Sequence, residues 1–119
     1  MQSSRPASSR RPFYALEVAL EAIEVLRPVV ARIRQHDRDL GEQVRRALSS
    51  AALNAAEGNS SEGGTRLSRF STAAGCNSEA RAALRVAVAW GHVAPAEIER
   101  GEILLDRLAG LLHGLGARR

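Results

Sequence analysis

The chain has 119 residues, enough for one domain of ordinary size, and 45% of them are hydrophobic but only 3% are aromatic. A core built from Ala, Leu, Val and Ile favours closely packed helices, and no run approaches the roughly 18 apolar residues that span a bilayer. The formal net charge is +4 and the isoelectric point is near 10.9, so the chain is basic overall; we expect a cytoplasmic protein with no membrane partner.

The positive charge is concentrated at the two ends of the chain. Residues 1–12 hold three arginines and no acidic residue, and residues 118–119 are both arginine. Residues 13–117 hold 12 arginines and 13 acidic residues, a net charge of −1. The sequence therefore predicts a disordered basic arm over residues 1–12, a folded domain over residues 13–117 and a basic tail over residues 118–119.

Apolar residues recur every three or four positions in four segments, which predicts four helices. They are expected at about residues 14–35, 40–57, 65–90 and from 95 to near the end of the chain. Four helices with short connections are typical of an up-and-down antiparallel four-helix bundle, so the predicted class is all-α.

Small and polar residues mark the predicted helix ends. Residues 36–39 are polar and form the first connection, and Gly58 with Asn59 is expected to form a left-handed cap on the second helix. Thr65 is a candidate N-cap of the third helix, which should end at Gly91.

The last helix carries two adjoining apolar stripes, the second of which contains Leu104 and Leu111. A small monomeric bundle does not need to bury that much apolar surface on one helix. We therefore interpret the second stripe as weak evidence for self-association.

The residues that usually carry catalysis or bind metals are sparse and scattered. His36, His92 and His113 stand far apart without metal-ligand spacing, and Cys76 lies among small residues where a buried structural role is expected. The glycine-rich turn after the second helix lacks the lysine of a P-loop. We therefore expect no enzyme activity, no metal and no cofactor.

Asn54 and Glu57 are polar residues in an alanine-rich helix, and their spacing places them on one face. A buried Asn or Glu must find a hydrogen-bond partner, because an unpaired polar group costs about 1–3 kcal/mol. We favour a structural role over catalysis, with a bond to the following turn or to Arg or Asn of the third helix. Asn77 and Glu79 are the predicted partners.

The segment 40–93 contains a series of short motifs in fixed order. These are Gln43, Arg45, Arg46 and Ala47, then Asn54, Ala56, Glu57 and Gly58, then Arg69 and Phe70, then Gly75 and Glu79, and finally Gly91, His92 and Val93. In this pattern the chain resembles the bacterial family of proteins encoded within 23S rRNA intervening sequences. It departs from that family at Arg66 and Arg81, where members often carry an acid, and at Trp90, where leucine is usual.

The resemblance implies a four-helix bundle that assembles into a ring-shaped homopentamer, with Asn54, Glu57, Gly58 and Glu79 as its structural motif residues. Related proteins include the accessory variability determinants of diversity-generating retroelements, which are basic pentamers that bind nucleic acid and partner a reverse transcriptase. The intervening-sequence proteins themselves have no established activity.

Two classes of function fit these observations. In the first, the protein is a non-enzymatic scaffold that binds RNA or DNA phosphates through the arginines of the two chain ends and through arginines of the second and third helices, namely Arg45, Arg46, Arg66, Arg69, Arg81 and Arg85. In the second, it is a structural or protein-partner module whose arginines pair with its own acids within and between subunits. We lean towards nucleic acid.

Overall fold

The computed structural model describes residues 13–117, so the predicted arm over residues 1–12 and tail over residues 118–119 lie outside the described residues. Four helices account for almost all of this range: α1 (Tyr14–His36), α2 (Arg38–Asn59), α3 (Gly63–Ala89) and α4 (Pro95–Ala117). The described residues contain no strand. The predicted all-α class with four helices is confirmed.

The helices pack in chain order around the bundle. α1 lies against α2 and α4, α3 lies against the same two helices, and the diagonal pairs make few contacts. Between α2 and α3, residues later in α2 contact residues earlier in α3: Ser50 bonds to Cys76, and Asn54 bonds to Arg69. α2 and α3 are therefore antiparallel, as an up-and-down bundle requires of neighbouring helices.

The bundle interior is mostly alanine, leucine and valine, with Phe70 as its largest fully buried side chain. Short side chains let the helix axes approach closely. Gly101 of α4 shows the limit of that approach, because a Cβ atom there would collide with the side chain of Leu26 on α1. At this point only glycine leaves room for the Leu26 side chain between the two helices.

The first connection is shorter than predicted. Only Asp37 separates α1 from α2, and α2 begins at Arg38 rather than near residue 40. The Asp37 carboxylate accepts a hydrogen bond from the Leu40 amide at 3.0 Å, which makes it the N-cap of α2.

Two residues predicted to cap helices at the second connection lie inside helices instead. Gly58 lies within α2 at negative φ, so it is not a left-handed cap, and α2 continues through Asn59. Thr65 lies inside α3, which begins at Gly63 with a φ of 60°. Gly91 does end α3 as predicted, with a φ of 79° that favours glycine.

The apolar stripes of α4 lie largely inside its own bundle. Leu104 is buried and Leu111 is half-buried. The second stripe therefore packs inside the bundle and does not support the predicted self-association. Large apolar side chains that remain exposed are scattered over the described surface: Tyr14, Leu20, Leu53, Val86, Trp90 and Ile103. Between residues 13 and 117 no helix is long and apolar enough to cross a membrane.

Candidate nucleic-acid interface

The polar motif residues of α2 meet the start of α3 through one arginine. Arg69 Nη1 lies 3.2 Å from Glu57 Oε1 and donates to Asn54 Oδ1 at 3.3 Å. Asn54 also donates to the carbonyl oxygen of Ser50 at 2.9 Å. Asn54 and Glu57 thus bond to an arginine of α3, which was one of the predicted alternatives, but not to the named candidates Asn77 and Glu79.

Gly58 belongs to the same contact, which we call the α2–α3 junction (Asn54, Glu57, Gly58, Arg66, Arg69 and Phe70). A Cβ atom at Gly58 would lie 2.6 Å from a ring carbon of Phe70, so only glycine lets the ring reach the α2 backbone. Arg66 donates to the Gly58 carbonyl oxygen at 3.2 Å and lies 4.8 Å above the Phe70 ring. Arg66 therefore caps the end of α2, whose last carbonyls lack helical donors.

Asn77 and Glu79 lie away from this junction. Asn77 is buried in the core, where its amide donates to the carbonyl oxygen of Leu105 at 2.9 Å and so ties α3 to α4. Glu79 is exposed and lines a surface cleft between α2 and α3 that also contains Arg46 and Cys76. Cys76 is half-buried, with its thiol 3.1 Å from the Ser50 hydroxyl, and is less enclosed than predicted.

The six arginines predicted to contact phosphate do not form one surface. Arg45 faces α1 and Arg46 faces α3, while Arg66 and Arg69 belong to the α2–α3 junction at the other end of α2. Arg81 pairs with Asp106 of α4 at 3.4 Å. Arg85 is exposed and has no ion pair with any described residue.

A different set of arginines does come together, along the contact between α1 and α2. A cleft of about 350 Å³, here called the α1–α2 cleft, lies between these helices. Its lining is Ile23, Arg27, Val30, Ala31, Arg34, Arg45, Leu48 and Ser49. A shallower depression beside it shares Ala31 and Arg34 and adds Gln35 and Arg38.

We call Arg27, Arg34, Arg38 and Arg45 the α1–α2 basic surface. The only acid bonded to any of the four within the described chain is Glu42, which lies 3.1 Å from Arg34 and 3.1 Å from Arg45. Arg27 and Arg38 have no ion pair with a described residue. One region of a nearly neutral domain therefore has a local excess of positive charge.

The arginines of this surface affect the pKa of Glu42. The hydrogen bond from Arg45 lowers the pKa of the Glu42 carboxyl and is the largest effect; desolvation raises the pKa, and the positive charges of Arg34, Arg45 and Arg46 lower it further, so that it lies below its usual value. Glu42 is thus held as the carboxylate between guanidinium groups, and it offsets only part of their charge.

Sequence reasoning identified Arg45 and missed the other three members of this surface. A usable signal was present: Arg27, Ala31 and Arg34 recur at four and three residues, which places them on one face of α1. That Arg38 and Arg45 lie beside that face depends on the one-residue connection at Asp37, which fixes how α2 folds back on α1.

Two of the three separated histidines also meet in the structure. The rings of His36 and His92 are stacked, with centroids 5.4 Å apart and planes at 6°. His92 Nε2 lies 3.9 Å from an oxygen of Asp37. No group of three or more His, Cys, Asp or Glu that could hold a metal occurs in the described part of the chain.

Comparisons with known proteins return no match: no family model, curated protein or solved structure matches the chain. The likeness to the intervening-sequence family therefore rests on the motif residues themselves. Asn54, Glu57, Gly58, Arg69 and Phe70 all belong to the α2–α3 junction, which gives that part of the motif a packing role.

Proposed function

We propose that this protein is a non-enzymatic helical-bundle module that binds nucleic acid, and that the α1–α2 basic surface contacts the phosphate backbone. The observation that supports the proposal is that Arg27, Arg34, Arg38 and Arg45 line one cleft and the depression beside it, where Glu42 is the one described acid that forms ion pairs with any of them. Arginine suits this role because its planar guanidinium bonds phosphate in a bidentate manner. Since residues 13–117 carry a net charge of −1, attraction of phosphate by this part of the chain must come from the local placement of its arginines rather than from its total charge.

The expected binding follows from counterion release. Each phosphate contact on a single strand contributes about −0.7 to the slope of log affinity against log salt, so four contacts give about −2.8. A rise from about 50 to about 200 mM salt should then weaken binding about 50-fold. Variants that lose two contacts should show about half that slope.

The proposal also covers the oligomeric state, the protein partner and the cellular location. As the family resemblance implies, we propose a homopentameric ring, in which repeated basic surfaces would strengthen a weak single contact. A reverse transcriptase or another protein is a proposed partner, and the cytoplasm the proposed location. The mass of the full chain in solution, by light scattering or native mass spectrometry, tests the ring, and a monomer would refute it.

A double charge reversal tests the surface. R27E/R38E removes the two arginines of the surface that have no acid partner, so it should reduce affinity for a labelled oligonucleotide at least about 10-fold and flatten the salt slope. R85E/R107E is the matched control, because Arg85 and Arg107 are also exposed and make no ion pair between residues 13 and 117. Fluorescence anisotropy of the full chain across a salt series measures both.

The control also tests the predicted role of Arg85. Equal losses in both double variants would mean that binding follows total charge, and the α1–α2 surface would lose its special role. No binding by the wild type at low salt would refute the proposed function altogether.

A structural or protein-partner module is the second candidate. It is favoured by the arginines that already bond to carboxylates of other helices, such as Arg32 to Glu97 at 3.2 Å and Arg100 to Glu21 at 2.9 Å. On this interpretation the arginines hold the bundle together, and the full chain binds no oligonucleotide at low salt. The charge reversal R27E/R38E would then change the net charge of the chain and none of the other properties measured.

A further inference from the structure

The α1–α2 cleft has an apolar interior that phosphate contacts alone do not need. Ile23, Val30, Ala31 and Leu48 supply its aliphatic lining, and Ser49 adds a hydroxyl that can donate and accept a hydrogen bond. Its volume of about 350 Å³ falls within the range typical of ligand sites, roughly 300–1,000 Å³. The arginines thus surround a recess that is suited to a flat apolar group.

The spacing of the arginines fits a group with a negative charge on either side. Arg27 and Arg34 are seven residues apart on α1, which separates them by about 10 Å along the helix axis. Ala31 lies between them and its short side chain leaves the cleft open. Arg45 reaches the same cleft from α2, so guanidinium groups approach it from both helices.

We propose that the α1–α2 cleft binds an unstacked base of single-stranded nucleic acid, with the adjoining phosphates held by Arg27, Arg34 and Arg45. This inference rests on the proposed function and specifies its ligand. In a duplex the bases are stacked inside the helix, and only the phosphates reach this surface. In a single strand a base can turn into the cleft, contact its aliphatic side chains and stack on a guanidinium plane.

The test compares a 12-nucleotide RNA single strand, its DNA equivalent, the matching RNA duplex and an abasic single strand, using the full chain. The single strands with bases should bind about 10-fold more tightly than the duplex or the abasic strand, as expected for one base contact. A single-strand affinity equal to that of the duplex and of the abasic strand overturns the inference.

Filling the cleft gives the second arm. Ala31→Leu keeps every arginine, lies at an exposed helical position and should lower single-strand affinity to the duplex level while leaving duplex binding unchanged. Ala82→Leu, at an exposed position on α3, is the matched control and should change neither affinity. Retained duplex binding by Ala31→Leu also shows that the variant is folded.

The outcomes separate the inference from the proposed function. If duplex and single strand bind equally and Ala31→Leu has no effect, the protein binds phosphate but the cleft does not bind a base. If none of the nucleic acids binds at low salt, the proposed function itself fails. If an acidic peptide binds as tightly as the single strand and Ala31→Leu weakens both, the cleft is a protein-docking site and the inference is overturned.

Discussion

Replacing Gly58 with alanine should destabilise the bundle, although alanine is normally the better helix former. Gly58 lies inside α2 at negative φ, so its backbone imposes no penalty on alanine. The obstacle is Phe70, since the new Cβ atom would lie 2.6 and 2.7 Å from two ring carbons. Carbon atoms in ordinary contact are about 3.5–4.0 Å apart, so the ring or helix α2 must retreat by about 1 Å.

The ring has little freedom to retreat. Phe70 is 1% exposed, Arg66 lies above it at 4.8 Å, and the Phe13 ring is 6.1 Å away. Overpacking of this kind costs about 1–3 kcal/mol, and the helix propensity of alanine returns about 1 kcal/mol. The free energy of unfolding should therefore fall by about 0–2 kcal/mol.

Gly75→Ala is the matched control for this substitution. Gly75 is helical and exposed, and a Cβ atom there would meet no neighbouring atom within 4 Å. This variant should gain about 1 kcal/mol, so urea denaturation should separate the two variants by about 1–3 kcal/mol. If Gly58→Ala stabilises the chain as much as Gly75→Ala does, the proposed reason for glycine at the α2–α3 junction is wrong.

Three further substitutions test other parts of the structure. The Arg45 hydrogen bond lowers the pKa of Glu42 in the folded state, so the Glu42 carboxylate stabilises the fold above the usual pKa of 4.5 and this stabilisation is lost as pH falls through the lowered pKa. Thermal melts between about pH 6 and about pH 3 should therefore show a larger loss of stability for the wild type than for Glu42→Gln. Arg69→Ala should cost only about 0.5–1 kcal/mol in urea denaturation, since its ion pair is about half exposed, and a loss above about 2 kcal/mol would contradict this assessment. Asn77→Asp places a buried carboxylate against the Leu105 carbonyl oxygen and should cost about 3 kcal/mol or more at neutral pH, whereas unchanged stability would mean that the site is hydrated.

The location of the basic surface bears on which ligands the proposed interface would accept. Its floor is aliphatic, and its charged groups come from two helices joined by a single capping residue, Asp37. A surface on two packed helices is more rigid than one on a loop, which lowers the entropy cost of binding. The same rigidity would limit the ligand to one that fits the cleft between Ala31 and Ser49.

Helix content was predictable from the sequence because it depends on local spacing. Apolar residues at three- and four-residue intervals predict α1 to α4, and Gly91 marks the end of α3 because its positive φ is costly for other residues. The exact ends of α2 and α3 were not predictable. The sequence indicates a cap at Gly58, but Gly58 lies inside α2 and its backbone packs against Phe70, a residue 12 positions away.

For the predicted site residues too, local spacing predicted the helix face but not the tertiary partner. Spacing alone placed Asn54 and Glu57 on one face of α2 and indicated Arg or Asn of α3 as their partner, but it did not decide that the partner is Arg69. Asn77 was selected because it is polar and lies on α3, yet it faces α4 and bonds to Leu105. A helix carries its residues in a fixed angular order, whereas the neighbour on each side depends on how the four helices assemble.

By itself, the sequence determined that this chain forms helices with small apolar faces and that the folded domain is nearly neutral, since both follow from residue type and local order. Only the tertiary structure decided which arginines act together. Arg66, Arg69 and Arg81 bond to other residues of the bundle. Arg27 and Arg34 join Arg45 around one cleft, and Arg38 lies in the depression beside it. The physical reason is that charge acts through space over distances of several ångströms, and α1 folds back against α2 at Asp37, which brings residues of both helices within that distance.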